Sequence, residues 1–278
     1  DNLFFDRLHL QLNNYNLNYF KVESGMDNKV FSENFSSFSV KVFKNMYNFD
    51  LSIDFEKKIN GDQLGNNFNI KIKREFYKNN WFNLSLSIRQ KHPGLIYENF
   101  ISGYDNFNWT QSLKLVENKQ IDLKISNSIF GNINFNHSII DNFFYLSVDK
   151  DSQEIMAPIL NQYDRKIKYY SLKIKRSFDF GKWTLDNAII YQVINQNDDI
   201  LNLPQFVSRN TLFFSERIFR NTLAIQTGIN FKIFSKYYAN EYNPLISDFH
   251  IQNEKKIGGF PLFDFFFNAK IRQTKIFI

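Results

Sequence analysis

Tyr47-Asn48-Phe49-Asp50-Leu51-Ser52-Ile53-Asp54-Phe55-Glu56-Lys57-Lys58-Ile59 is the stretch that decides the fold. Its odd positions are apolar except Lys57, and its even positions are all polar or charged. A period of two is the pleat of a β-strand, with one face apolar and the other polar. The same alternation returns at Phe68/Ile70/Ile72, Phe82/Leu84/Leu86/Ile88, Ile121/Leu123/Ile125 and Leu223/Ile225/Thr227/Ile229/Phe231/Ile233. No stretch sustains a helical period.

A soluble sandwich also alternates, because one face of each sheet packs on a core. Length separates the two readings. Strands of soluble proteins average about 5–6 residues, whereas a bilayer crossing takes about 9–11. Several of these stretches reach the longer figure. Aromatic residues crowd the predicted strand ends, at Trp81-Phe82, Phe107 and Trp109, Tyr169-Tyr170, and Phe180 with Trp183. Amphipathic rings gather at the headgroup level of a bilayer in this way.

The connections are a second test. Short polar turns are predicted at Asn13-Asn14, Lys44-Asn45-Met46, Lys78-Asn79-Asn80, Glu117-Asn118-Lys119, Asp141-Asn142, 179–182, Arg220-Asn221 and 272–274. Longer connections fall at 23–34, 60–66, 91–105, 150–167, 195–208 and 235–261, with a tight Gly131-Asn132 breaking the alternation. Short turns alternating with long loops are the outer-membrane barrel pattern. The expected fold is therefore all-β: one domain over residues 1–278, a transmembrane antiparallel up-and-down barrel of about 14–18 strands, about fifteen of them read directly.

Composition agrees. Aromatic residues make up 18% and hydrophobic residues 43% of the chain, yet mean hydropathy is −0.40. A strand barrel shows lipid only every second residue, so it looks soluble on average. No run approaches the roughly 20 apolar residues of a membrane helix. The net charge is +6, but Lys and Arg are spread along alternating strands instead of forming blocks, which argues against nucleic acid. Cysteine is absent, so disulfides, thiolate catalysis and zinc–cysteine sites are excluded. Asp1-Asn2-Leu3 carries no signal-peptide features, so the chain reads as mature or partial.

Enzyme and cofactor signals are missing. His9, His92, His137 and His250 lack metal spacing and are expected in loops or on the pore side. Gly258-Gly259 reads as a turn, not a phosphate loop. Asp198-Asp199 reads as a solvated loop, with no spaced run of oxygen ligands for calcium. No GxSxG element or triad appears.

What remains is the polar face. Its candidate pore-lining residues are Asp50, Asp54, Glu56, Lys71, Lys73, Lys114, Asp122, Lys124, Lys173, Lys175 and Lys232. A charge on the lipid face at bilayer depth costs about 2–4 kcal/mol, so these side chains are expected inside. Their cationic excess suggests a mild anion preference. Lys57 and Arg176 fall on apolar faces near strand ends, where they can snorkel to headgroups; a bulge is the alternative for Arg176.

The segment Tyr191–Phe277 resembles the carboxyl-terminal part of the putative porins of Bacteroidetes-type bacteria. The resemblance rests on 203–212 (LPQFVSRNTL), 223–228 (LAIQTG), Tyr242-Asn243-Pro244, 249–253 (FHIQN), 257–266 (IGGFPLFDFF) and 268–274 (NAKIRQT), with 104–109 (YDNFNW) upstream. It implies an outer-membrane channel for small hydrophilic solutes or ions, without catalytic or cofactor residues. The implied partners are membrane lipid, the solutes and the outer-membrane assembly machinery. Such barrels end in a closing strand with a terminal aromatic, whereas this chain stops at Ile278, so about two strands are expected beyond it. Two alternatives stay open: a plugged, non-conducting barrel with a structural or docking role, and a soluble β-sandwich binding module.

Overall fold

The computed structural model describes residues 4–20, 30–61, 65–77, 79–100, 108–148, 158–220, 222–244 and 246–278. Thirteen strands form one antiparallel sheet in which each strand pairs with its sequence neighbours. They are β1 (Arg7–Phe20), β2 (Val30–Met46), β3 (Phe49–Asn60), β4 (Asn66–Tyr77), β5 (Asn80–Lys91), β6 (Val116–Asn127) and β7 (Gly131–Asp141). The rest are β8 (Ile167–Phe180), β9 (Trp183–Asn195), β10 (Phe206–Ile218), β11 (Leu223–Phe234), β12 (Leu262–Ile271) and β13 (Thr274–Phe277). All but the last run 10 to 17 residues, about twice the length usual in soluble proteins. Among the described residues neither β1 nor β13 has a partner on its outer side, so the wall is not closed. The sole helix among the described residues is the single turn Leu95–Glu98.

Short turns alternate with longer connections along the sheet. Short turns join β2–β3, β4–β5, β6–β7, β8–β9, β10–β11 and β12–β13, and the long connections 92–115, 142–166, 196–205 and 235–261 lie at the opposite end of the sheet. Tyr47 and Asn48, between the closing pair Met46↔Phe49, both take positive φ, the backbone that a two-residue hairpin needs to match strand twist.

The turn expected at Lys44-Asn45-Met46 falls instead at Tyr47-Asn48, and Asp141-Asn142 opens a long connection instead of making a short turn. Further misplaced turns and strands lower the count from about fifteen to thirteen. Asn13-Asn14 does not turn: Asn13 Nδ2 donates to Ser37 Oγ at 3.4 Å and Asn14 Oδ1 accepts from Ser36 Oγ at 2.6 Å, so both amides serve the β1–β2 pair. Glu117-Asn118-Lys119 lies inside β6, with Glu117 and Lys119 joined in an ion pair at 2.8 Å. Trp109 and residues 143–148 belong to loop hairpins outside the sheet: Asn99–Phe100 pairs with Trp109–Thr110, and Phe144–Val148 with Pro158–Gln162. With the turn placed at Ser128–Phe130, the apparent exception at Gly131-Asn132 disappears.

Register puts like with like. One rung of directly paired residues reads Leu51–Ile72–Leu84–Leu123–Phe135–Leu172–Tyr191–Phe206 across eight strands. The next, one residue along, reads Ser52–Lys71–Ser85–Asp122–Asn136–Ser171–Gln192. A one-residue slip would exchange the two faces, so the alternation itself fixes the register. Among the described residues nothing covers the apolar face: Leu10 is 62% exposed, Ile229 48% and Leu172 39%. No second sheet of the described residues packs on it, which argues against the β-sandwich.

The rungs slant. From Met46↔Phe49, which closes the first hairpin, direct pairing leads through Arg74, Phe82, Ile125, Ile133, Ile174, Ile189 and Ser208 to Ile233. Leu223, ten residues along the same strand, sits opposite Ile271, which closes the last hairpin. That drift accumulates over ten strands, or one residue per strand. With about 3.3 Å per residue and about 4.8 Å between strands, hairpins lying in one plane require a strand tilt of about 35°. Closed barrels tilt by about 35–45°.

Candidate functional site

The two faces of the wall are the features that can carry function. On the apolar face of four strands, polar residues bracket the band at the same interval. The borders are Ser36 and Lys44 on β2, Asn66 and Arg74 on β4, Lys119 and Asn127 on β6, and Lys168 and Arg176 on β8. Each pair lies eight residues apart with three apolar or aromatic side chains between them, such as Tyr170, Leu172 and Ile174. Eight residues span about 26 Å along the strand and about 22 Å across the sheet at the derived tilt. Lys57 stands on the same border rung as Asn66.

Arg176 is a border residue too. The pairing of β8 runs without interruption on both sides, so no bulge is present, and its guanidinium lies 4.4 Å from the Phe178 ring centroid. Arg74 does the same over Phe49 at 4.6 Å and Phe76 at 5.0 Å. Phe180, Trp183 and Phe214 continue this aromatic belt near the turns, the last two with ring centroids 5.4 Å apart. Tyr170 is on the apolar face, stacked on His137 at 4.3 Å. His137 was expected in a loop or on the polar side, but the register of β7 points it to the apolar side. Phe107 lies outside the described residues.

Ten of the eleven residues singled out from sequence share the polar face: Asp50, Asp54, Glu56, Lys71, Lys73, Asp122, Lys124, Lys173, Lys175 and Lys232. Lys114 does not. It lies in the connection before β6, where Gln162 brackets its backbone, accepting from Lys114 N at 2.8 Å and donating to Lys114 O at 2.8 Å. The turn expected at Glu117-Asn118-Lys119 gave Lys114 a strand of its own before it; with that turn absent, the strand begins only at Val116 and Lys114 is left in the connection. Neutralisation is local: Asp122 meets Lys124 at 3.5 Å, and Lys232 meets Asp264 at 2.6 Å. The sequence list missed Arg209, Arg217, Lys270 and Lys275. They share the polar face, but aromatic residues such as Phe213 and Phe266 also occupy it here and blur the alternation.

The long connections form a packed layer with the wall's main apolar core. Leu113, Leu146, Leu160 and Ile246 make one cluster, and Tyr163, Ile167 and Ile200 another. Hydrogen bonds tie the loops to one another: Tyr97 OH donates to Asp248 at 3.0 Å, Tyr163 OH to Asp198 at 3.1 Å, and Ile251 N to Leu146 O at 2.8 Å. Burial first, then the Asp248 carboxylate, raises the Tyr97 phenol above the ordinary tyrosine value.

This layer docks on the polar face. Ile140, Ile167 and Ile194, all on that face by register, pack against Tyr163, Ile200 and their neighbours. Connection 235–261 approaches the same face at Phe234, where Gly258 has φ +91 and a Cβ would stand 2.5 Å from the ring. The Gly258-Gly259 turn exists because only glycine permits that approach. Among the described residues no group of three metal-ligating side chains comes together. His92 pairs with Glu98 at 3.0 Å inside the loop layer.

A family model described as "Putative porin" matches residues 3–278. The chain belongs to this putative-porin family. No curated protein matches it. Its fold is that of outer-membrane β-barrel receptors. The ferric enterobactin receptor of Pseudomonas aeruginosa in complex with enterobactin is similar at TM-score 0.60 and 12% identity, over 90% of this chain and 39% of the receptor. The siderophore receptor PirA of Acinetobacter baumannii is similar at TM-score 0.56 and 10% identity, over 88% of this chain and 40% of PirA. This porin-family chain thus spans about two fifths of the solved structures it resembles. Family and fold together point to an outer-membrane location.

Proposed function

We propose that the sheet is the wall of an outer-membrane channel, with its apolar face on lipid and its polar face on a water-filled lumen that admits small hydrophilic solutes or ions by diffusion. The observation that carries this reading is the uncovered apolar face, bracketed at both borders by polar and basic residues. A band about 25 Å tall is what a barrel presents to a bilayer, and the derived height of about 22 Å agrees with it. Phe, Leu and Ile rows left in water would be unstable. The reading requires both sheet edges to be paired in the membrane, because unpaired edge groups are not tolerated in hydrocarbon. The cationic excess on the polar face supports an anion preference.

Docking of the loop layer on the polar face favours a narrower second reading, in which the long connections constrict or plug the mouth. Reconstitution into planar bilayers tests both. Open steps with a reversal potential on the anion side of a salt gradient are expected. Silence that persists after residues 196–205 are shortened would refute the channel. Silence relieved by that shortening would establish the plug.

A further inference from the structure

The polar face carries a basic arrangement twice. Near the turns, Arg217–Ala224–Lys270–Lys275 crosses β10 to β13 through direct pairs. Deeper in the wall, Lys175–Ala188–Arg209–Lys232 crosses β8 to β11 in the same way. Each rung has basic side chains on both sides of an alanine and a further base directly opposite the third residue. Lys270 faces Lys275, and Arg209 faces Lys232. Like charges directly opposite on neighbouring strands are destabilising, so an arrangement that repeats them invites an anion between them.

Both alanines leave room. Over Ala224 lies a hollow of about 390 Å³ with Arg217, Lys270, Lys275, Ser215, Gln226 and Asn268 around it; Ile225, Ala269 and Phe277 also line it, and most of its wall is apolar, so the charged and polar groups act from the rim. Over Ala188 lies another of about 390 Å³, lined by Lys175, Arg209, Asn132, Thr211 and Asp186. Among the described residues no carboxylate pairs with Arg217, Lys270 or Lys275. Glu216 also borders the first hollow, but it belongs to the other face and is held by Lys182. The second hollow is less basic, because Asp186 lines it and Asp264 holds Lys232.

We propose that these two hollows bind oxyanions of the phosphate type, the Ala224 hollow more tightly, and that they act as successive stations along the wall. Three cations around one cavity suit a doubly charged tetrahedral anion, with the Arg217 fork and two lysine ammoniums as charge-assisted donors. Ser215, Gln226 and Asn268 add neutral polar groups. Arg209 and Arg217 lie eight residues apart on β10, about 26 Å along the strand. The stations are thus separate sites. Rings of Arg and Lys select anions in pores generally. The inference rests on the polar face being the lumen wall, but binding is measurable without conduction.

The test is equilibrium dialysis of the folded full chain in detergent against radiolabelled inorganic phosphate, paired with bilayer recordings in chloride. Wild type is expected to take up phosphate saturably, and phosphate to suppress chloride current. Arg217→Gln with Lys270→Gln should weaken binding by at least about tenfold, the effect of losing one charge-assisted contact. Ala224→Leu keeps every charge and fills the hollow, so it should weaken binding comparably. The glutamine variant relieves repulsion and keeps the test valid if Ala224→Leu misfolds. Lys168→Gln, on the opposite face, should change nothing. Saturable binding that these substitutions abolish, with bilayers that stay silent even after residues 196–205 are shortened, would retain the stations and remove the channel. Absent saturable binding, or binding indifferent to both variants, would overturn the stations whatever the conductance.

Discussion

A lysine placed at residue 172 tests the lipid-facing assignment most directly. Leu172 is the midpoint of the β8 band, four residues from Lys168 and four from Arg176. That places it about 13 Å along the strand, or about 11 Å across the sheet, from either border. No snorkelling route is then open, since a lysine stem reaches only about half that distance. Leu172→Lys should cost about 2–4 kcal/mol, the range for a basic residue at the midplane of a barrel's lipid face. Lys168, on the same face at the border, already shows that a charge is tolerated there. The control is Lys173→Leu, one residue along but on the polar face, for which no such cost is expected. Urea titration of the protein folded in phospholipid vesicles, followed by tryptophan fluorescence and heat-modifiable gel mobility, measures both. A cost below about 0.5 kcal/mol for Leu172→Lys, or one matched by Lys173→Leu, would refute the assignment of faces, because only differential exposure to hydrocarbon separates these positions.

Ile167 is fully buried where the loop layer meets the wall. Ile167→Ala should loosen that layer by about 2–5 kcal/mol, read as faster hydrogen exchange in residues 158–166 and 196–205 while the β8–β9 ladder keeps its protection. Unchanged exchange in those loops would remove the docked layer. The raised phenol of Tyr97 predicts an alkaline effect. Its contribution to the loop layer is complete below the unfolded value of about pH 10 and is lost as pH rises beyond that. Tyrosinate absorbance should show a late-titrating fraction that Tyr97→Phe reduces; a wild type whose tyrosines all ionise together near pH 10 would contradict it.

The loops were the part of the fold least legible in the chain. Residues 143–148 and Trp109 carry strand-like composition and do form strands, but in loop hairpins, because pairing partners are chosen by three-dimensional proximity and not by local pattern. Asn13-Asn14 has turn chemistry, yet cross-strand partners on β2 absorb both amides. Membership of the polar face was legible wherever alternation was clean, from β3 to β8. It was incomplete on β10 to β13, where phenylalanine occupies both faces. Arg209 and Arg217 become visible only once the strand bounds are known.

From the linear chain came the period of two, the length of the strands, the alternation of short turns with long connections, and hence a sheet with one apolar and one polar face. These are local properties, set by the pleat and by turn chemistry, so a single strand with its turn suffices to reveal them. Tertiary structure alone decided the one-residue-per-strand slant, the alignment of the polar borders of β2, β4, β6 and β8, the folding of the loops onto the polar face and the basic rungs over Ala188 and Ala224. Each depends on which residues of different strands stand opposite one another. Register between strands is a cooperative outcome of the whole sheet, and no segment specifies it alone.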